Sequence, residues 1–192
     1  MLASRRESFD EHSSFLLDED DAMTDTITTS DPKTVLRLAT ADDVGLVLDF
    51  IRQLAEYEKK TDEVIADEDQ LQQSLFGERR VAEVVIASYQ GEPAGFALFF
   101  HNFSTFLGRP GIYLEDLFVI PKLRGRGIGR VMLSFLARLA VERGCGRLEW
   151  WVLDSNEPAI RFYERLGAQA MDEWTVYRFT GDTLEELAKG RG

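Results

Sequence analysis

The sequence predicts one α/β domain, built as a mixed sheet with helices on both faces. The chain has 192 residues, of which 44% are hydrophobic and 29% are charged, and a chain of this kind can bury one core. Runs rich in Val, Ile and Phe alternate with stretches whose apolar residues recur at helical spacing. Because no repeat or linker interrupts residues 32–192, we predict the continuous order βα(α)βββαβαβ.

The predicted domain opens with a short strand and two helices. Val35–Leu38 has the composition of a strand. Thr40–Asp43 resembles a capping box, and apolar residues at helical spacing follow over Val44–Leu54. A second helix is predicted over Asp67–Phe76, because Gly77 is a typical helix-ending residue.

Three extended segments occupy the middle of the chain. Val81–Tyr89 and Ala94–Phe103 are rich in β-branched and aromatic residues, and Gln90–Pro93 between them predicts a hairpin turn. A further strand is predicted over Gly111–Ile120, closed by Pro121. We therefore expect neighbouring antiparallel strands in this part of the sheet.

The last part of the chain returns to alternating helices and strands. An apolar stripe predicts a helix over Ile128–Arg143 that stops at Gly144. A strand is predicted over Arg147–Leu153, a short helix over Asn156–Leu166 and a final strand over Trp174–Phe179.

Residues 1–31 differ in composition from the rest of the chain. They hold nine acidic residues and two arginines, with Ser/Thr runs between them. Such a segment lacks the apolar residues that a folded core needs, so we predict an acidic flexible extension. An interaction tail, a solvated extension and a natural start at Met23 are the three readings left open for it.

Composition also limits the partners. The formal net charge of -12 disfavours nucleic acid and acidic membrane surfaces, since both would be repelled. One cysteine, Cys145, excludes an internal disulfide, and two histidines are too few for a zinc or haem cluster, so we expect no metal. Neither a long apolar run nor a secretory signal is visible in the sequence, so we expect a cytoplasmic protein.

The segment Lys122–Arg130 is the most informative in the chain. It holds four cations, three alternating glycines and no acid, between a predicted strand and a predicted helix. Glycines allow a ligand to approach the backbone closely, and N–H groups at a helix start attract anionic oxygens. The segment therefore predicts a pyrophosphate cradle, with a basic surface turn as the alternative. Arg130 stands where a dinucleotide fingerprint needs glycine, and no Gly-Lys-Ser/Thr follows.

The order of three motifs identifies a family. An Arg-x-x-Gly-x-Gly pattern at 124–129 follows the strand residues Leu114–Val119, and Asn156–Ala168 comes later. Over Val35–Ala188 the chain resembles the GNAT superfamily of acetyl-CoA-dependent N-acetyltransferases. The resemblance implies a central, mostly antiparallel twisted sheet with a splayed pair of parallel strands.

Within this superfamily the chain looks most like one subgroup. The segments Leu54–Glu58 and Tyr113–Val119, and the Asn-Glu-Pro motif at 156–158, resemble diamine (spermidine/spermine) N1-acetyltransferases and their thialysine-acetylating relatives. The resemblance implies acetyl transfer from acetyl-CoA to a primary amine of a small molecule by direct attack in a ternary complex. It also implies a homodimer.

The resemblance further implies where acetyl-CoA binds. The diphosphate would lie on the loop, and the pantetheine arm would run beside the strand that precedes it, where the parallel strands splay. The implied cofactor-binding residues are Leu117, Phe118, Val119, Arg124, Gly125, Arg126, Gly127, Ile128, Gly129, Arg130, Asn156, Pro158 and Ala159.

Two residues are implied as catalytic. An alkylamine has a pKa of about 10 and is charged at neutral pH, so a base must remove a proton before it attacks a thioester. The resemblance gives this role to Glu115, acting through a water, and gives Tyr163 the role of acid toward the departing sulfur. In a regular strand Glu115 faces away from Asp116, whereas a bulge, which the resemblance implies at this place, would bring both toward the acceptor. The alternatives are that Glu115 is only an exposed strand carboxylate and that Tyr163 is only a packed aromatic residue.

The acceptor site is implied to be acidic. Ser155 stands where polyamine enzymes carry an aromatic residue, and the turn at 169–173 is shorter than theirs, so diamines, polyamines and thialysine-like amino acids all stay open as acceptors. Acetylation of protein amines and a non-catalytic acyl-CoA-binding module are the further alternatives. The implied acceptor residues are Tyr57, Glu58, Glu115, Asp116, Trp151 and Asp172.

Overall fold

A computed structural model describes residues 26, 27, 29 and 31–191 of the chain. These residues cluster into two compact units, of which the first ends at Trp150 and the second begins at Trp151. No helix in the described part of the chain is long and apolar enough to span a bilayer.

Most of the predicted N-terminal extension, including Met23, lies outside the described residues. Close to its end, the Ile27 N–H donates to the Leu36 carbonyl at 2.8 Å and forms an isolated bridge.

The first unit is organised around one five-stranded sheet with the spatial order β1-β2-β3-β4-β5. The first four strands are antiparallel neighbours, and β5 pairs with β4 in parallel. This architecture confirms the predicted mixed, mostly antiparallel sheet. The strands are β1 (Thr34–Leu38), β2 (Glu83–Tyr89), β3 (Glu92–Ser104), β4 (Arg109–Val119) and β5 (Leu148–Trp150).

Strand β4 is irregular at the point where the site is expected. Its pairing with β5 ends at Leu114, whereas β4 continues to Val119. On its other edge Leu98 pairs with Asp116 and Phe99 pairs with Leu114, so one residue of β4 between them has no partner in β3. The parallel pairing therefore ends five residues before β4 does, beside a β-bulge, which is consistent with the splayed pair that the resemblance implied.

The described residues form five α-helices, three in the first unit and two in the second, and several helix ends follow local sequence signals. The Asp67 carboxylate accepts the Gln70 N–H at 2.8 Å and caps the second helix. Before the first helix, Asp43 accepts from the Thr40 N–H at 2.8 Å, as the capping box predicted. The helices are α1 (Val44–Glu58), α2 (Glu68–Phe76), α3 (Ile128–Glu142), α4 (Glu157–Arg165) and α5 (Gly181–Ala188).

The core lies on both faces of the sheet. Helices α1 and α2 pack on one face, where Phe50 of α1 stacks on Phe96 of β3 with ring centroids 5.6 Å apart. Successive strand residues point to opposite faces, so Val85 and Ala87 of β2, both fully buried, point to the other face. Helix α3 contacts β1 to β4 and buries Met132, which confirms helices on both faces.

Three details of the prediction were wrong. The strand expected over Arg147–Leu153 is confined to β5, because the ladder with β4 includes only residues 148–150. Trp174–Phe179 forms no strand, since strand residues need a neighbouring ladder and these described residues have none. Helix α5 was not predicted at all.

Candidate active site

The loop between β4 and α3 holds its backbone in a conformation that requires glycine. Pro121–Leu123 forms a 3₁₀ turn, and α3 begins at the buried Ile128. Between them Gly125 has φ +76° and Gly127 has φ +87°. A Cβ added at either glycine would meet no atom within 4 Å, so backbone conformation and not crowding selects glycine there.

This loop fits an anionic group. The first N–H groups of α3 have no acceptor inside the helix, and the space beside the glycines is open to a ligand. Arg126 and Arg130 are both exposed at the loop. The Arg126 guanidinium lies 5.5 Å from the centre of the Tyr89 ring. The arrangement suits a diphosphate, which needs several N–H donors and neighbouring positive charge.

Arg124 connects this loop to the end of α1. Its Nε–H donates to the Val119 carbonyl at 3.0 Å. Its guanidinium carbon lies 3.9 Å from the centre of the Tyr57 ring and 5.8 Å from that of Phe118. The resemblance implies that Arg124 binds the cofactor and Tyr57 the acceptor, and the structure places the two side chains in direct contact.

The last residues of β4 offer backbone groups at the splayed edge. Ile120 donates its N–H to the Ala94 carbonyl in the direction of β3, at 2.9 Å. Backbone groups alternate in direction along a strand, so those of Val119 and Leu117 point to the edge that β5 has left. The Phe118 side chain is buried in the core between α1 and the sheet.

Two carboxylates, Glu115 and Glu58, act on a third, Asp116, near the end of β4. Glu115 is the exposed extra residue of the bulge, while Asp116 is largely buried. Burial, followed by repulsion from Glu115 and Glu58, raises the pKa of Asp116 to about 6. Burial also raises the pKa of Glu58, with Glu63 adding to the shift and Lys60 opposing it. Such a cluster favours a cation.

The second unit presents its predicted residues mainly on α4. The Asn156 side-chain oxygen accepts the Ala159 N–H at 3.4 Å and caps the helix, with Pro158 in its first turn. Tyr163 is half-buried, and its ring centroid lies 5.2 Å from that of Phe162. Asparagine and proline thus begin this helix in the way that the sequence predicts.

The remaining predicted acceptor residues also lie in the second unit. Trp151 is 57% exposed, and the Arg178 guanidinium lies 5.9 Å from the centre of its ring. Asp172 is exposed in a turn that is closed by the Trp174 N–H donating to the Met171 carbonyl.

Sequence reasoning missed two contacts of the loop. Tyr89, at the end of β2, was not a candidate although it lies under Arg126, and the contact of Arg124 with Tyr57 was not expected. The residue pattern of β2 predicts a strand that contains Tyr89. It gives no information on which distant cation contacts the Tyr89 ring. The sequence held no signal for either pair, because tertiary packing creates them.

Comparison with known proteins finds one matching family and several relatives. The model of the acetyltransferase (GNAT) family matches residues 48–168. A thialysine N-epsilon-acetyltransferase from Bos taurus is 40% identical over 165 residues, covering 80% of this chain and 96% of the relative. An L-ornithine N5-acetyltransferase from Arabidopsis thaliana is 32% identical over 199 residues, covering 80% of this chain and 87% of the relative.

A solved structure shares the fold. An integron cassette protein from the mobile metagenome of V. cholerae superposes with a TM-score of 0.68 at 30% identity, covering 82% of this chain and 98% of that protein. Together with the relatives, it confirms the resemblance that the motifs had indicated, including the likeness to thialysine-acetylating enzymes. The chain is an acetyltransferase and belongs to the GNAT family.

Proposed function

We propose that this acetyltransferase moves the acetyl group of acetyl-CoA to a primary amine of a small cationic acceptor, by direct attack in a ternary complex. The acceptor is a diamine, a polyamine or a thialysine-like amino acid. The observation that carries the proposal is the glycine-shaped, basic loop at the start of α3, which directly follows the strand whose bulge carries Glu115 and Asp116.

Acetyl-CoA, which GNAT acetyltransferases use, supplies an activated acetyl thioester. In our proposal the N–H groups of Gly125–Arg130 hold its diphosphate, and Arg126 and Arg130 add positive charge. The backbone groups of Leu117 and Val119 at the splayed edge hydrogen-bond its amide-rich arm. The first turn of α4, at residues 156–159, provides the remaining contacts.

Proton transfer is assigned to two side chains, and a third binds the acceptor. Glu115, exposed at the bulge, takes the proton of the acceptor ammonium through a water. Asp116 holds the cation beside it. Tyr163 on α4 donates a proton to the departing sulfur, because a phenol with its usual pKa of about 10 is protonated at neutral pH.

The acceptor carries at least two charged groups in this proposal. The two relatives are named for thialysine and L-ornithine, and both are amino acids with a second, side-chain amine. Glu58, Glu115 and Asp116 provide negative charge for such a molecule, and Trp151 and Asp172 complete the acceptor residues. An amino acid of this type is our first choice, followed by diamines and polyamines. Acetylation of a peptide amine is the competing function.

A screen of amines with acetyl-CoA tests the proposal. Thialysine, L-ornithine, spermidine, a simple diamine and a short peptide are compared by the release of free thiol. We expect a side-chain amine of an amino acid to react fastest. Reaction of the peptide alone would contradict the small-molecule assignment, and thiol release that no amine accelerates would contradict the whole proposal.

A pair of glutamates on α1 provides a matched control for this screen. Glu58→Gln removes a carboxylate next to Tyr57, so KM for a cationic acceptor should rise by roughly 5- to 10-fold. Glu56→Gln changes an exposed neighbour and should leave KM unaltered. Equal effects of the two substitutions would show that Glu58 does not bind the acceptor.

We also propose that the protein works as a homodimer in the cytoplasm, without a nucleic-acid or membrane partner. The dimer follows from the subgroup that the chain resembles, and the acidic net charge supports the absence of polyanionic partners. Light scattering coupled to size-exclusion chromatography measures the mass directly. A mass of one chain at working concentration would contradict the dimer.

A further inference from the structure

We propose that Arg124 is an internal competitor of the cationic acceptor. Its guanidinium occupies the face of Tyr57 that an acceptor ammonium would use, and binding of the acetyl donor draws it away toward the diphosphate. The inference rests on the proposed function, because it requires an anionic donor and a cationic acceptor at this site.

The contact with Tyr57 has the geometry of a cation–π interaction. The guanidinium carbon is 3.9 Å from the ring centre, well inside the distance of about 6 Å at which such attraction is significant. A positive charge over this ring is thus favoured by the aromatic face, whether it belongs to Arg124 or to a ligand.

Arg124 still has bonding capacity for an anion. Among the described residues it takes part in no salt bridge, and its Nε–H is the donor used in its hydrogen bond to Val119. A guanidinium has five N–H donors in a planar fork that matches phosphate oxygens. It also stands immediately before Gly125, within the loop that we assign to the diphosphate.

The donor would replace Arg124 without leaving a polar group unsatisfied. The Val119 carbonyl, which accepts from Arg124, points to the edge where we place the amide-rich arm. An amide N–H of that arm can take over the same carbonyl, so one hydrogen bond is exchanged for another. The guanidinium then gains the diphosphate and leaves the Tyr57 ring to the acceptor.

This exchange couples the two ligands. If Arg124 covers Tyr57 in most molecules, the apparent affinity for an amine equals its intrinsic affinity multiplied by the small fraction of molecules in which Arg124 does not cover the ring. Donor binding removes that reduction, and by linkage the amine strengthens donor binding by the same factor. From the usual strength of a cation–π contact we expect a factor of about 5 to 20.

Calorimetry of the full-length protein measures this factor. Thialysine is titrated into the protein alone and into the protein saturated with CoA, the product that cannot transfer acetyl. In the native protein, CoA should tighten thialysine binding about 5- to 20-fold. In Arg124→Gln, thialysine should bind without CoA as tightly as it binds the native protein with CoA, and CoA should add nothing.

Arg126→Gln is the matched control. Arg126 belongs to the same loop but lies over Tyr89, so its loss should weaken CoA binding while preserving the coupling to thialysine. Unchanged coupling in Arg124→Gln, equal loss of coupling in both variants, or no thialysine binding even with CoA present would each overturn the proposal.

A second readout follows Arg124 itself. In ¹H–¹⁵N spectra its Nε–H signal, assigned by its loss in Arg124→Gln, should be shifted by the Tyr57 ring and should move when CoA is added. A signal that stays in place while CoA binds would refute the exchange and leave the proposed function intact. No heat of CoA binding to the native protein would instead refute the proposed function.

Discussion

Asp116 and Glu115 are neighbours in β4 with opposite environments. Asp116 is largely buried, so its folded-state pKa of about 6 lies above the ordinary value of 3.8. The folded protein therefore holds this proton more tightly than the unfolded chain does. Stability contributed by protonated Asp116 is present below 3.8 and is lost as the pH rises to about 6. The buried charge at neutral pH thus costs stability, and in our proposal it serves acceptor binding.

Asp116→Asn should change both stability and acceptor binding. At about pH 8 the substitution should raise the free energy of unfolding, by at most about 3 kcal/mol, because the buried charge is gone. Below pH 4 or so the gain should vanish, since Asp116 is then protonated in both states. KM for a cationic acceptor should rise. Urea unfolding at both pH values is the measurement, with the exposed Asp154→Asn as control. A pH-independent gain would contradict this reasoning.

The proposed role of Tyr163 can be tested by removing a single oxygen atom, that of its hydroxyl group. Tyr163→Phe removes only the hydroxyl that we assign as proton donor, so kcat should fall by roughly 100-fold, the usual contribution of general acid catalysis. CoA affinity measured by calorimetry should be unchanged. Tyr177→Phe removes a phenol that is 89% exposed and should leave kcat as it was. Full activity of the Tyr163→Phe variant would end the assignment.

At the scale of elements, the start of α1 depends on one carboxylate. Asp43 forms two hydrogen bonds of 2.6 Å with the Arg37 guanidinium and also accepts from Thr40. Arg37 is the main cause that lowers the pKa of Asp43 from 3.8 to about 2, with the Thr40 hydrogen bonds assisting. This carboxylate therefore joins β1 to α1, and its stabilising effect requires the ionised form.

Asp43→Asn should lower the free energy of unfolding by about 2 to 3 kcal/mol near neutral pH, because the Arg37 charge loses its partner. The stabilisation is present above pH 3.8 and is lost as the pH falls toward 2, so the difference between the two proteins should shrink in acid. Denaturant unfolding at several pH values measures it. Asp42→Asn alters the exposed neighbour, and an equal loss there would argue against the specific pair.

The loop before α3 is the element whose backbone binds the diphosphate in our proposal. Gly127→Ala places a side chain at φ +87° in open space, so the cost is conformational, about 1 to 2 kcal/mol. Gly144→Ala, at φ +66° and equally open, imposes a similar strain beyond the end of α3. Both substitutions should lower Tm, but only Gly127→Ala should weaken CoA binding in calorimetry. Equal CoA affinity in the two variants would show that the loop does not bind the diphosphate.

At the scale of the whole molecule, the predictions that succeeded rest on local chemistry. The two ends of α2 could be predicted at Asp67 and Gly77 because helix capping needs only neighbouring residues. The glycines of the loop before α3 could be recognised from their spacing. The pairing limits of β5 and the contact of Arg124 with Tyr57 depend on residues far apart in the chain. The bulge in β4 was anticipated only through the family, because strand composition does not specify register.

The composition of the segment Trp174–Phe179 predicts a strand, whereas the structure of the single chain has no strand there. The segment contains strand-forming residues with no ladder, and Val176 is 52% exposed. Exposed apolar segments with unpaired backbone groups add readily to a sheet edge. We predict that the proposed homodimer pairs this segment, so its amides should exchange more slowly at high protein concentration than at low.

Hydrogen exchange followed by mass spectrometry, with light scattering on the same samples, tests this pairing. Val176→Asp should abolish the protection and lower the measured mass, because a charge would be buried in the interface. Val141→Asp, at a valine that is 78% exposed on α3, should do neither. Protection of residues 174–179 that does not vary with concentration would mean that the segment pairs within one chain, and the dimer would then need another interface.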